Sequence, residues 1–388
     1  MNLLQLNSKD ERLELLSKTV EDFTERAKEN DEKASFPFEN FKELKSIGYP
    51  ALTLPKKYGG LGISLCEMLR HQEIIGKADG STGLSVGWHM GIMKHLGENQ
   101  IWDEDKYASV AQDIVQSGAL LNNAASEPAT GSPTRGGRPE THATKNDTGW
   151  MINGHKNFTT LSPILSYFVV SASIGGTDEV GNFLIKRERE GVKVEETWDS
   201  IAMRATGSHD LLLENVHVDE DDLVQKITPG KKQPAGWLLH IPACYLGIAQ
   251  AAQESAINFA TTYSPNSIEG TISELPNVKQ KLGEMELRIL ESKHFLYSIA
   301  KKWDESDKET RLTMGPELGA AKTSVVNKAL EVVDQAMRIV GARSLSKKSD
   351  LQRYYRDVRA GLHNPPMDDM IIMQLAGKSI SDKNKQRA

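Results

Sequence analysis

Two short segments carry the residue types from which a cofactor cleft is built. The first is Ala124-Ala125-Ser126-Glu127-Pro128-Ala129-Thr130-Gly131-Ser132, and the second is the predicted hairpin Trp150-Met151-Ile152-Asn153-Gly154-His155-Lys156-Asn157-Phe158-Thr159-Thr160. Both place hydroxyls, small side chains and an aromatic ring at the ends of short strands, where a planar heterocycle can lie against backbone amides without crowding. A reduced flavin is negative at its pyrimidine edge, and oriented amides and hydroxyls aimed there stabilise it before any reaction begins. The ligand these residues predict is a flavin. Taken alone, the same residues also fit an ordinary Ser turn followed by a hairpin.

Other chemistries find no pattern. No HExxH occurs, and Cys66 and Cys244 stand far apart without CxxC spacing, so no metal site and no disulfide framework are expected. Gly377-Lys378-Ser379 has the end of a phosphate loop, but Ile372 stands where its first glycine belongs and no strand precedes it. The 388 residues carry a net charge of -6 with 26% charged residues, which provides no basic field for nucleic acid. No leader pattern and no apolar stretch of membrane-spanning length is read, so the expected location is cytoplasmic.

The elements that must position the two segments follow from periodicity. Asp10 to Gln116 reads as helices broken at Phe36-Pro37, at Gly48-Tyr49-Pro50 and at the turn-rich Pro55 to Gly62. Strand patterns follow at Tyr167–Ala172, Asn182–Ile185 and Leu211–Val218, and Asn153-Gly154 carries the signal of a hairpin turn. After Pro234 the helical period returns, with Leu282, Met285, Ile289, Leu296, Ile299 and Trp303 on one face and Val326, Leu330, Val333, Met337 and Val340 on another. The expected domains are 1–119 helical, 120–232 β and 233–388 a helical bundle.

This order of units resembles the acyl-CoA dehydrogenase family, and local matches run through nearly the whole chain. They are Ile47-Gly48-Tyr49 with Leu54 to Gly62, the Ser126-Glu127-Pro128 turn, Asn153-Gly154-x-Lys156, Arg204-Ala205-Thr206-Gly207-Ser208 before Glu214-Asn215-Val216, Gly247-Ile248-Ala249-Gln250, and Arg356-Asp357. The resemblance implies an α+β fold of three parts: an N-terminal helical domain, a central β-sandwich or barrel, and a C-terminal four-helix bundle. It also implies a homo-oligomer, a dimer of dimers. By the same resemblance Ala125 and Ser126 would bond the flavin pyrimidine edge, Phe158 and Thr160 would cover the ring and reach its N5 region, and Ser132 would lie near the acyl-CoA opening. Trp88 and Trp237 are candidate pocket residues, against a default reading as core.

The chain departs from the family where the chemistry should sit. Acyl-CoA dehydrogenation needs a carboxylate opposite the flavin to take the α-proton while the β-hydrogen leaves as hydride, and losing such a base costs about 10²–10⁴ in rate. One family position for that Glu, after the Arg-Asp pair, reads Pro365, and the other, ahead of Gly-x-x-Gln, reads Trp237. His363, Asp368 and Asp369 are the nearby alternatives. His363 matches a histidine that flavin monooxygenases of this fold carry for proton handling, or else shapes the turn, while the two aspartates also suit the first turn of a last helix. The arginine that grips the diphosphate of FAD in a neighbouring subunit is missing from Tyr263 to Gly270, with Gly341 and Arg343 as substitutes, so FAD, FMN and a dissociable reduced flavin all remain in play.

The first expectation is therefore a dehydrogenase of fatty acid metabolism that passes two hydrogens of an acyl thioester to flavin N5. A two-component monooxygenase using reduced flavin and oxygen is the alternative, and a binding-only relative is the third. Expected partners are acyl-CoA or another small acyl or aromatic substrate, and an electron acceptor or flavin reductase.

Overall fold

Capping residues start the N-terminal helices. Ser8 and Glu11 form a reciprocal capping box ahead of α1 (Lys9–Thr19), which is followed by α2 (Phe23–Lys33) and α3 (Phe38–Ser46). Ser64 caps α4 (Leu65–Ala78), Asp79 caps α5 (Gly80–Asn99) and Asp103 caps α6 (Glu104–Ser117), each side chain accepting backbone amides of the first turn. The computed structural model describes residues 1–130, 136–227 and 233–385.

In the middle of the chain the described residues form eight strands: β1 (Leu121–Ala124), β2 (His142–Asn146), β3 (Gly149–Thr159), β4 (Tyr167–Ile174), β5 (Val180–Lys186), β6 (Val192–Glu195), β7 (His209–Val218) and β8 (Leu223–Ile227). They are joined in the order β6-β7-β3-β2-β4-β5-β8, and β1 runs parallel to the first half of β4. The half β6-β7-β3-β2 meets β4 through only two residue pairs, His142 with Ser173 and Ala143 with Ile174. The sheet folds back there, and the Trp150 ring of β3 packs edge-on against Phe183 of β5 at 5.5 Å, giving the layered core expected of a sandwich.

One local expectation is corrected. Asn153-Gly154 is not a turn, because β3 runs straight through it. The tight turn is Asp147-Thr148, where Asn146 pairs with Gly149 and its side chain accepts the Thr148 amide at 3.1 Å. Asn153-Gly154 instead marks a bulge against β7, with the Asn215 amide donating to Asn153 Oδ1 at 2.8 Å. A Cβ on Gly154 would come within 2.2 Å of Thr141 Oγ1, so the glycine serves a close approach.

Among the described residues six α-helices follow the sheet: α7 (His240–Thr262), α8 (Pro276–Glu305), α9 (Lys308–Thr313), α10 (Gly315–Val340), α11 (Asp350–Arg359) and α12 (Asp368–Lys385). In α8, Met285, Ile289, Leu296, Ile299 and Trp303 are buried, with Leu282 half-buried beside them. α4 and α7 cross in backbone contact. A Cβ on Gly76 would lie 2.6 Å from the Cys244 carbonyl, and one on Gly247 would lie 2.4 Å from that of Glu73. Gln250 then bonds Glu73 across the crossing at 2.8 Å, which accounts for Gly247-Ile248-Ala249-Gln250.

Candidate functional site

The end of β1 and the end of β3 are tied together by two hydrogen bonds. The Asn157 amide donates to the Ser126 carbonyl at 3.0 Å, and the Asn122 side chain donates to the Thr160 carbonyl at 2.9 Å. Ser126, Phe158 and Thr160 therefore stand on one shoulder of the sheet, with Ala125 half-buried beside Ser126. Among the described residues the Ser126 hydroxyl has no partner. Ser132 lies outside the described residues.

Phe158 has φ +54°, a left-handed conformation that costs a non-glycine residue about 1 kcal/mol, and its ring is 61% exposed. Trp198 meets it edge-on at 5.9 Å. Thr160 Oγ1 shares a hydrogen bond with Ser208 Oγ at 2.9 Å, and Ser208 shares another with Thr206 Oγ1 at 2.8 Å. A flat aromatic face held up beside a row of hydroxyls and an unpartnered serine is a cradle that suits an isoalloxazine ring.

Beneath this shoulder lies a buried ion pair whose two members sit unnoticed inside the Ser-Glu-Pro and Asn-Gly-x-Lys patterns. Lys156 is fully buried and bonds Glu127, 2% exposed, at 2.5 Å. Glu127 also accepts the Glu140 amide at 2.6 Å, the Thr141 amide at 3.0 Å and the Thr130 hydroxyl at 3.2 Å. Burial works to raise the Glu127 carboxyl, but Lys156 and these donors hold it down at about 2. Burial lowers the Lys156 ammonium in turn, with Glu127 opposing. The pair fastens the Ser126 turn to β3. A carboxylate in the turn after β1 and a lysine within β3 were the available signal.

A cavity of about 210 Å³ opens between the N-terminal helices and the sheet. Its apolar walls include Ile92, Leu96, Trp102, Val169 and Trp237, and its polar groups are His95, Asn123, Asn182 and Gln225. No carboxylate and no lysine or arginine lines it among the described residues. Burial lowers His95, so its imidazole is neutral at pH 7. Trp237 faces this space, and Trp88 stands behind it, edge-on at 5.8 Å. His240, fully buried, is stacked on Trp237 at 5.9 Å with neither ring nitrogen bonded, and burial takes it down to about 3. His89 is spent on backbone: Nδ1 accepts the Leu121 amide at 3.2 Å, which leaves Nε2 to donate to Pro50 at 3.1 Å. The polar lining was not legible because it comes from α5, β1, β5 and β8 at once.

The C-terminal candidates fall in different places. His363 is exposed in the turn after α11, where Tyr245 fixes the neighbouring Asn364 at 2.6 Å. Asp368 begins α12 and is held against α10, accepting Asn327 at 2.7 Å, Thr323 at 3.1 Å and the buried Lys322 at 3.2 Å. Gly341 ends α10 at φ +69°. Arg343 lies over the Tyr263 ring at 4.3 Å and beside Phe259 at 5.8 Å. A grouping of carboxylates, Asp219, Asp221 and Asp222, is drawn together on the surface, where Lys106 pairs with Asp222 at 2.8 Å and with Asp221 at 2.9 Å. No described helix is long and apolar enough to cross a membrane.

An eight-stranded sheet between two helical units, with a cradle of an aromatic face and hydroxyls at its edge, defines an acyl-CoA dehydrogenase-fold flavoprotein. Models of the acyl-CoA dehydrogenase N-terminal, middle and C-terminal domains match residues 10–100, 122–216 and 239–364. The chain is 52% identical to the putative acyl-CoA dehydrogenase YdbM of Bacillus subtilis (strain 168), over 97% of this chain and 98% of that one. It superposes on TdsC from Paenibacillus sp. A11-2, solved with FMN and indole, at TM-score 0.86 and 24% identity, covering 95% of this chain and 97% of that one. It superposes on butyryl-CoA dehydrogenase from Megasphaera elsdenii at TM-score 0.82 and 21% identity, covering 97% and 99%. The chain belongs to the acyl-CoA dehydrogenase family.

Proposed function

We propose that this protein is a two-component flavin monooxygenase. It takes reduced flavin from a separate reductase and transfers one oxygen atom of O2 to a small neutral substrate. The observation that carries this reading is the cavity without a carboxylate, with Trp237 on its wall where a dehydrogenase of this family could hold its base. Flavin bound at the Ser126, Phe158 and Thr160 shoulder supplies the two electrons. One oxygen atom enters the substrate and the other leaves as water, so the protein must deliver protons rather than remove one from carbon. His363 is exposed and unpaired among the described residues, and it is the side chain assigned to that task. Asn123, Asn182, Gln225 and His95 orient the substrate by hydrogen bonds while Trp237 and Ile92 cover its apolar face. FMN fits better than FAD here, because the guanidinium that would hold a diphosphate is already stacked on Tyr263.

The fate of the oxygen decides the matter. Protein supplied with FMN, NADH, a free-standing flavin reductase and isotopically labelled O2 should place one labelled oxygen atom in the product when offered small neutral heteroaromatics, whereas unaided oxidation of reduced FMN yields only hydrogen peroxide. The second reading, acyl-CoA dehydrogenation, draws on the match to all three family domains and on the relative that is 52% identical. An anaerobic titration that bleaches bound flavin with an acyl-CoA would establish it and end the first.

A further inference from the structure

Arg356-Asp357 has no part in the site described so far, and the structure joins it to Arg204-Ala205-Thr206-Gly207-Ser208, whose Thr206 and Ser208 hydroxyls stand in the cradle. Asp357 is 4% exposed on α11, with no cation at ion-pair distance among the described residues. Its Oδ1 accepts the Met203 amide at 2.6 Å. Its neighbour Arg356 donates to the Ile201 carbonyl at 2.6 Å and pairs with Asp31 of α2 at 3.0 Å. Consecutive residues of one helix thus hold both the carbonyl and the amide side of Ile201-Ala202-Met203, and Met203 adopts φ +51°, which a non-glycine residue keeps only when its surroundings impose it.

From Met203 the bonds lead to the flavin shoulder. Its carbonyl accepts Trp198 Nε1 at 3.0 Å and Thr206 Oγ1 at 3.0 Å. Trp198 is the ring set edge-on to Phe158, and Thr206 bonds Ser208, which bonds Thr160. Both side chains proposed to face the flavin therefore lean on a single peptide group. A buried carboxylate with a backbone amide as its hydrogen-bond partner is costly to keep for stability alone.

We propose that Asp357 is a positioning residue for the flavin: by holding the amide of Met203, with Arg356 fixing Ile201, it fixes the backbone of that residue so that its carbonyl sets Trp198 against Phe158 and the Thr206–Ser208 hydroxyls against Thr160. This rests on flavin binding at that shoulder. It does not depend on which reaction follows.

The test is FMN titration of the apo protein, followed by flavin fluorescence, together with near-UV circular dichroism of the tryptophans before FMN is added. Asp357→Ala should weaken FMN binding about tenfold and alter the apo tryptophan signal, whereas Asp357→Asn, which keeps an acceptor oxygen, should restore both to within about threefold. Ser208→Ala should weaken binding and add little on top of Asp357→Ala, since the two act through one path. Glu67→Gln, which breaks the distant buried pair with Arg12, should lower the melting temperature and leave FMN binding unchanged. If Asp357→Ala does not fold, Trp198→Phe makes the same measurement by removing the indole donor while keeping a ring beside Phe158. Wild-type FMN affinity in Asp357→Ala or in Trp198→Phe, equal losses in the Asn and Ala variants, or additive losses with Ser208→Ala would overturn the proposal. Wild-type affinity in Phe158→Ala and Thr160→Val would instead remove the flavin reading beneath it.

Discussion

Glu127→Gln is the sharpest test of how the cleft is held. The substitution keeps the shape of the side chain, removes its charge and leaves the Lys156 ammonium buried without a counterion. The distance between a carboxyl held at about 2 and its ordinary value of 4.5 corresponds to about 3 kcal/mol of folding free energy. Breaking a buried pair from one side costs a similar amount, about 3–5 kcal/mol. Because the folded-state value lies below the unfolded one, this contribution is present above pH 4.5 and is lost as the pH falls towards 2. Denaturant unfolding followed by circular dichroism at pH 7, 5 and 3 should therefore show a loss of about 3 kcal/mol in Glu127→Gln at pH 7, shrinking as the pH drops. Adding Lys156→Met should recover part of the loss, since the stranded charge is then gone. A loss below about 1 kcal/mol at pH 7, or a pH dependence identical to that of the wild type, would refute the reasoning.

Three further outcomes are expected. His363→Gln should lower the turnover of the oxygen-consuming reaction by about 10²-fold with an unchanged melting temperature, because the side chain is exposed; a drop in stability alone would assign it to the turn. Asp368→Asn should do the reverse, costing about 3 kcal/mol in unfolding experiments by orphaning the buried Lys322 while sparing turnover. The exposed Leu287 and Leu290 of α8 mark a face on which a homo-oligomer would close, so Leu287→Glu with Leu290→Glu should shift the mass measured by light scattering to that of a single chain.

The helix, sheet, helix order was legible because it rests on local periodicity, and the Ser126, Phe158 and Thr160 shoulder because its residues sit within two short motifs. Asn153-Gly154 misled because the same dipeptide serves turns and bulges, and only the opposing Thr141 and Asn215 decide between them. The Glu127–Lys156 bond spans 29 positions, and the Asp357 bond to Met203 spans 154, so neither leaves a periodic trace. Asp368 begins the last helix, one of the two readings open for it, while its hold on Lys322 belongs to packing between α10 and α12.

The crossing of α4 with α7 carries a consequence for the architecture. With no side chain between the two backbones at Gly76 and Gly247, the opening and closing thirds of the polypeptide share one interior, and the sheet is an insertion hung from it. Cleaving the chain between α6 and β1 should leave two fragments that stay associated and melt together, and neither piece expressed by itself should give a cooperative transition.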